Sequence, residues 1–468
     1  MLHVDQDSMK DNSAWSEFTC VAKTAPRDIH LPLPKPGPRL SATPSGQIHM
    51  LSVVLLLVST AALPAPSAAL TCVSPSGSAV DWWFLIKQPR WADKGHSDCI
   101  GNCEGSAYVF VTSDNPSSWQ IGENISASSS LLGLQLAGIY SGAVSSYVMY
   151  NDQLPNGTWT EVFGHSKGFF AYDSTSAYFV QHSIPKFPNY QSGGYNYRSG
   201  ELWYGQHAFC MSIKPAVLDE IAGMMLYSYP LVYDYALADT SLPNVASIVT
   251  GKTNRSGTNA TVVDTAWANL TLLGKANDAG VDMLDALVAP KLKESLLSQS
   301  WLNSGGPIGG YCPSSGYDVI DELALTLPLS SQSLGGQPMG TKPIEHVTYE
   351  DHSKWAVAKA SGSDWWCALD NNHVQSQFKR SGLAVCWQSA PIAALLRTAA
   401  TSVGSCGAPA PTSPCCYYRD ASCKAGTTCC ASSGKSYASE TSCTHYGAVH
   451  NCVWETAKDT CVVGSARR

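Results

Sequence analysis

Gly164-His165-Ser166-Lys167-Gly168 and Asp351-His352-Ser353-Lys354-Trp355 carry the same tripeptide, His-Ser-Lys, once in each half of a 468-residue chain. The flanks of the first copy, Thr158–Phe163 and Phe169–Val180, are rich in β-branched and aromatic residues and read as strands. On a strand, residues i and i+2 share a face, so each copy presents an imidazole beside an ammonium. Two such pairs, brought together, make a site of two imidazoles and two ammonium groups. That set suits a phosphodiester. The lysines hold the anionic oxygens as charge builds, one imidazole attacks phosphorus, and the other protonates the leaving oxygen. Neither a metal nor another cofactor is needed. A single His-Ser-Lys is a tripeptide that chance supplies on any surface. Its recurrence gives the catalytic reading its weight.

The first copy also fits G-x-S-x-G, the nucleophile elbow of a serine hydrolase. An elbow needs a helix directly after the serine. Here Phe169-Phe170-Ala171-Tyr172-Asp173 leads through Ser-Thr-Ser into another strand-like run, which predicts a hairpin. The second copy lacks the glycines altogether.

Working outward, the composition is 44% hydrophobic, 10% aromatic and 14% charged. That excludes a disordered chain, a collagen-like repeat and a coiled coil, and the length leaves room for two or three domains. Lys and Arg number 29 against 36 Asp and Glu, a formal charge of −7, so no global basic footprint marks a nucleic-acid binder. Twelve histidines stand outside that balance. Between residues 70 and 405, strand-like runs (Ala107–Thr112, Tyr147–Tyr150, Ala177–Ser183) alternate with helix candidates at Pro215–Tyr227, Ala279–Ser300 and Pro391–Ser402. The pattern predicts an α/β fold. Ala246–Asn269 is the expected seam between its halves.

Residues 1–49 contain Pro32, Pro34, Pro36 and Pro38 without apolar periodicity and read as disordered or as an upstream extension. Met50 then opens an apolar run, Leu51–Leu63, too short to span a bilayer and ending in small residues near Ala69. Residues 50–69 read as a secretory signal, and no other stretch reads as a membrane span. Five N-x-S/T sequons follow, at Asn124, Asn156, Asn254, Asn259 and Asn269. Of seventeen cysteines, one (Cys20) precedes the signal, seven lie between Cys72 and Cys386, and nine crowd between Cys406 and Cys461. That density points to an oxidising compartment and to a small disulfide-stapled module at 407–468. Zinc would require C-x2-C pairs or histidines at finger spacing, and neither occurs. Tyr417, Tyr418, Tyr437, Tyr446 and Trp454 in that module suit either a surface or carbohydrate contact or a small core.

The core resembles the deoxyribonuclease II family of acid endonucleases. The blocks that carry the resemblance appear in family order: Asp81-Trp82-Trp83-Phe84, Tyr150-Asn151-Asp152-Gln153, His165-Ser166-Lys167-Gly168, His182-Ser183-Ile184-Pro185-Lys186-Phe187-Pro188, Tyr204-Gly205-Gln206, Glu350-Asp351-His352-Ser353-Lys354-Trp355, Cys367-Ala368-Leu369-Asp370-Asn371-Asn372, and Arg380-Ser381-Gly382. The resemblance implies a phospholipase D-like pseudo-dimer, two α/β halves at 70–245 and 246–406 that each donate one His-x-Lys. It implies metal-independent hydrolysis of DNA at acid pH, leaving 3′-phosphate ends. It makes His165, Lys167, His352 and Lys354 the catalytic set. His182 matches a third histidine of the family, and Asp370 and Asn372 match polar residues expected to orient the second motif. It pairs Cys72 with Cys210, Cys312 with Cys406 and Cys367 with Cys386, leaving Cys99 and Cys103 to pair locally. The chain departs from the family pattern at His373, where Arg is usual, at Ser381, where glycine is usual, and at Ala356. These departures bear on DNA affinity rather than on the chemistry.

The implied route is secretory, ending in the lysosome or outside the cell. Histidine titrates near 6.5, so an acidic protein that must hold a polyanion is better suited to low pH. One imidazole must stay neutral while the other is protonated, which predicts a bell-shaped pH profile. Two other functions compete: a catalytically idle or toxin-like secreted relative that binds through the cysteine-rich tail, and a phosphodiesterase acting on lipid head groups.

Overall fold

The computed structural model describes residues 69–90, 103–251, 255–302, 306–327 and 344–406, together with the short strands Ser333–Leu334, Gln337–Pro338, Cys452–Glu455 and Thr460–Val463. Residues 1–49, the expected leader up to residue 68, Cys99, Asn254 and the rest of the cysteine-rich tail lie outside the described residues.

Two large sheets form the described core, the first antiparallel throughout and the second mixed, with one parallel pair. The first holds β1 (Trp82–Lys87), β2 (Tyr108–Thr112), β3 (Asn115–Gly122), β4 (Ser146–Asn151), β5 (Lys167–Tyr172), β6 (Ala177–His182), β7 (Gln206–Ile213) and β8 (Val232–Leu237), in the order β8-β4-β5-β6-β7-β1-β2-β3. The second holds β9 (Thr258–Asp264), β10 (Asn269–Lys275), β11 (Leu296–Gln299), β12 (Val319–Leu327), β13 (Ile344–Val347), β14 (Trp355–Ala358), β15 (Trp365–Leu369) and β16 (Gly382–Gln388), in the order β9-β10-β16-β15-β14-β11-β12-β13, with β17 (Ala400–Val403) also paired to β12.

The sheets repeat one another around the two His-Ser-Lys copies. Lys167 opens β5 and Lys354 directly precedes β14. From each of these strands the order runs outward through a hairpin partner (β6 or β15), then β7 or β16, then β1 or β10, every neighbour antiparallel. On the other side, β4 and β11 are antiparallel neighbours as well.

The alternation of side chains along these strands explains how the sheets meet. Trp82, Phe84 and Phe209 on one face of the first sheet meet Trp355, Trp366 and Trp387 of the second in a single buried cluster. Phe84 lies 5.0 Å from Trp366 and Phe209 stacks on Trp387 at 4.6 Å, ring centre to ring centre. Truncating one of these tryptophans would cost ~3–5 kcal/mol. The outer face of the first sheet is covered by α1 (Leu131–Tyr140), that of the second by the helical turns at 284–292. Helix α2 (Pro215–Ser228) starts at a proline, where the missing N–H costs nothing, and α3 (Pro243–Val249) packs on it, with Asn244 bonded to Asp219. That helix runs across residue 246, and the second sheet starts at Thr258.

Three local expectations are corrected. Ala279–Ser300 is not one helix: a π turn (Leu284–Val288) runs into α4 (Ala289–Leu292), and Lys293, at φ 59°, ends it. The Leu-rich remainder is then drawn into the sheet as β11, between β14 and β12, where pairing outweighs helix propensity. The last helix, α5 (Ala390–Ala399), stops short of the expected end, because Ala400–Val403 pairs with β12. Thr158–Phe163 forms no strand. Its one ladder contact is an isolated bridge from Trp159 to Gln153, and Trp159 and Val162 stand 47% and 66% exposed.

Disulfides join Cys72 to Cys210, Cys312 to Cys406 and Cys367 to Cys386, and Cys103 is also bridged. Asn124, Asn156, Asn259 and Asn269 are exposed. Among the described residues, no helix is long and apolar enough to cross a membrane.

Candidate active site

The two motifs come together at the ends of their strands, through a reciprocal pair of backbone bonds. His165 N–H donates to Ser381 O, just before β16 of the second sheet (3.0 Å). His352 N–H donates to Gly205 O, just before β7 of the first (2.8 Å). Each half thus fixes the histidine of the other. The glycines around the first motif serve close packing rather than an elbow. A Cβ on Gly164 would sit 1.8 Å from Ser228 O, and one on Gly168 would meet Tyr150 Oη and Val180 O at 2.3 Å. Strand β5 follows the motif, so the serine-hydrolase geometry is not present. Ser166 is buried and donates to Asp370 Oδ2 (2.7 Å).

The two imidazoles, both partly exposed, are held by different means. His165 donates from Nδ1 to the carbonyl of Asp370 (3.0 Å). A carbonyl only accepts, so Nδ1 carries the proton and Nε2 the lone pair. His352 is clamped by aromatics. Tyr204 stacks on it at 4.5 Å and 11° between planes, and Trp301 meets it edge-on at 4.0 Å.

The ammonium groups lie beneath. Lys167 and Lys354 are only 2% and 3% exposed. Lys167 pairs with Asp152 Oδ1, whose other oxygen takes Arg380 Nη2 (2.8 Å). Lys354 donates to the carbonyl of His352 (2.8 Å) and, among the described residues, forms no ion pair with a carboxylate. Burial, with the charge of Lys167 added, brings its pKa down to about 7. The histidines respond to the same field. Burial, then Lys167, Lys354 and Arg380 hold His165 well below 6.5; burial, then Lys354, Lys167 and Lys87 do the same to His352.

The other expected residues are placed as follows. His182 is buried, its Nδ1 accepts from Ile184 N–H (3.1 Å), and its basicity is depressed by burial and then by Lys167. Asp370 does not orient the second motif. Its carboxylate takes Ser166, Gln181 and the Leu383 N–H, and its carbonyl takes His165, so it acts across the sheets on the first motif. Burial raises it to about 6, against the pull of those donors. Asn372 Oδ1 accepts from the backbone N–H of Trp301 (3.3 Å), the residue whose indole packs on His352.

His373 is fully buried and cannot reach DNA, so its expected bearing on DNA affinity does not hold. Its Nδ1 lies 2.7 Å from Asp321 Oδ1 and its Nε2 3.0 Å from Asp285 Oδ1, with Asp282 3.9 Å away. Burial alone would lower its pKa, but these carboxylates raise it well above 6.5. Asp282, Asp285 and His373 are the described residues spaced to hold a cation, their donor atoms all within 4.8 Å. Carboxylates facing both ring nitrogens are the partners a protonated imidazole takes, so in that form the cluster is a buried ion-pair lock.

Several participants escaped the sequence reading. Asp152, Arg380 and Tyr204 sit inside quoted blocks, but nothing local assigns them a task. His207 accepts the Lys354 N–H at Nδ1 (3.0 Å) from the opposite sheet. Trp301 stands in no motif.

A sealed cationic floor under two partly open imidazoles, one of them fixed as a base, defines a site for an anionic ester that must gain a proton as it breaks. The family model for deoxyribonuclease II matches residues 71–406. The chain is 31% identical over 345 residues to deoxyribonuclease-2-alpha of Rattus norvegicus, covering 71% of this chain and 93% of that one. It is 29% identical over 345 residues to the Mus musculus deoxyribonuclease-2-alpha (71% and 92%), and 29% over 356 residues to plancitoxin-1 of Acanthaster planci (74% and 95%). The chain belongs to the deoxyribonuclease II family and is a DNA-hydrolysing nuclease.

Proposed function

We propose that the protein is a metal-independent acid endonuclease in which His165 is the nucleophile, His352 the general acid, and Lys167 and Lys354 bind the non-bridging oxygens of the scissile phosphate. The observation that carries this assignment is the bond from His165 Nδ1 to the Asp370 carbonyl, which leaves Nε2 as the attacking atom. Nε2 bonds to phosphorus, the P–O5′ bond breaks, and the proton of His352 passes to O5′. A phosphohistidine and a 5′-hydroxyl result. His352, now neutral, takes a proton from water, which displaces His165 and leaves a 3′-phosphate.

Each half supplies one His-x-Lys, and the repeated strand order supports a phospholipase D-like pseudo-dimer. Among the described carboxylates beside the motifs, Asp152 pairs with Lys167 and Arg380, Asp351 takes Ser353, and Asp370 takes Ser166 and Gln181, which supports a chemistry of imidazole and ammonium. A catalytically idle relative would be expected to lack one of the four groups, and all four are present. A leader at 50–69, glycosylation at the exposed sequons and Asn254, and delivery to the lysosome or cell exterior complete the reading. Plasmid nicking at acid pH in excess EDTA, with the ends tested by phosphatase, is the direct assay. Activity restored only by Mg²⁺, or 5′-phosphate ends, would overturn the mechanism.

A further inference from the structure

Tyr204 holds His352 with one ring face, yet it stands 38% exposed. Trp301 meets it edge-on at 5.1 Å and 82°, filling one side. Trp203, next in sequence, is 40% exposed, with the guanidinium of Arg90 4.8 Å above its ring. Large aromatics in solvent need a reason when they touch a catalytic imidazole. An uncharged aromatic ring face suits the π face of a base rather than a phosphate.

We propose that Tyr204 is a stacking platform for the nucleobase on the 3′ side of the scissile phosphate, the nucleoside whose O5′ His352 protonates. The side is set by the assignment of His352 as general acid, so the proposal rests on that reading. Aromatic rings take any base, because every base has a π face, and so the platform confers no sequence code. In a duplex both faces of a base are already covered by its neighbours. The platform therefore favours single-stranded or locally opened DNA at the cut.

The test uses single-stranded oligonucleotides with one abasic position either 3′ or 5′ of a defined cleavage site. Wild type should lose about 5- to 100-fold in kcat/KM when the 3′ base is missing, in line with base–aromatic stacking. Tyr204→Ala should be slow on the intact strand and indifferent to that loss, while Tyr204→Phe keeps the sensitivity. A role confined to ordering His352 would slow Tyr204→Ala but leave its abasic sensitivity at the wild-type value, which would overturn the platform. Sensitivity confined to the 5′ base would overturn the proposed side and point to exchanged histidine roles. If wild type cuts both abasic strands as well as the intact one, the platform is wrong while the nuclease mechanism stands.

Discussion

Raising the pH from 6 to 8 should cost natural DNA about 1,000-fold in kcat/KM, but an activated diester only about tenfold. The factors come from two groups. His352 must be protonated to serve as acid, and its pKa lies well below 6.5. Over this interval its protonated fraction falls about tenfold per pH unit, so about 100-fold in all. Lys354, at about 7, is about 90% charged at pH 6 and about 9% at pH 8, a further tenfold if only the ammonium form turns over. The logarithmic slope should thus steepen from about −1 below pH 7 to about −2 above it. A nitrophenyl phosphodiester leaves without a proton, so only the Lys354 factor remains. The free-enzyme groups govern kcat/KM, which makes initial rates at low substrate the right measurement. Equal losses on both substrates would show that His352 is not the acid. A profile that stays at one slope through pH 7 would remove Lys354 from the rate.

His165→Ala and His352→Ala should each abolish DNA cleavage without unfolding the protein, and the activated diester should partly rescue only His352→Ala; rescue of His165→Ala instead would exchange the roles. Asp152→Asn should cost ~3–5 kcal/mol in urea denaturation, because it strands the buried Lys167, while Arg380→Ala should cost clearly less; a wild-type midpoint for Asp152→Asn would refute the pairing. Deleting residues 407–468 should leave the nuclease active, since Cys406 stays bonded to Cys312; a folded but inactive truncation would show that the tail helps to build the site.

The site was legible where chemistry is written locally. A tripeptide repeated once per half marks both histidines and both lysines as candidates, although each histidine lies just before its strand rather than on it. The hairpin after Ser166 was legible for the same reason, with β-branched and aromatic runs broken by Ser-Thr-Ser. What escaped depends on contacts between distant segments. Asp152 and Arg380 meet across the two sheets, and no pattern near either forecasts it. Asp370 follows the second motif in sequence, and was expected to serve it. The crossing of the halves turns it toward His165 instead. The Ala279–Ser300 run has helical spacing, but Leu296 and Leu297 are claimed by β14 and β12. Periodicity describes a segment alone and is silent about an open sheet position beside it.

The acid optimum of the chemistry sets a problem that the fold must answer, and His373 supplies part of the answer. His165, His182, His207 and His352 all have folded pKa values well below 6.5. As pH falls through 6.5 the unfolded chain takes up protons first, so each of these histidines withdraws stability in the range where the enzyme works. His373 has the opposite sign. Its folded pKa lies well above 6.5, so its contribution is fully present below about 6.5 and is lost as pH rises through the folded value. The family resemblance leads one to expect Arg here, which would stay charged throughout. Histidine makes the lock among Asp282, Asp285 and Asp321 one that tightens with acid. His373→Gln should therefore lower the urea midpoint most at pH 5, and the gap to wild type should shrink as pH rises past the folded pKa of His373. A gap of constant size from acid to alkaline pH would show that the ring contributes by packing alone, and that its charge does not hold the cluster.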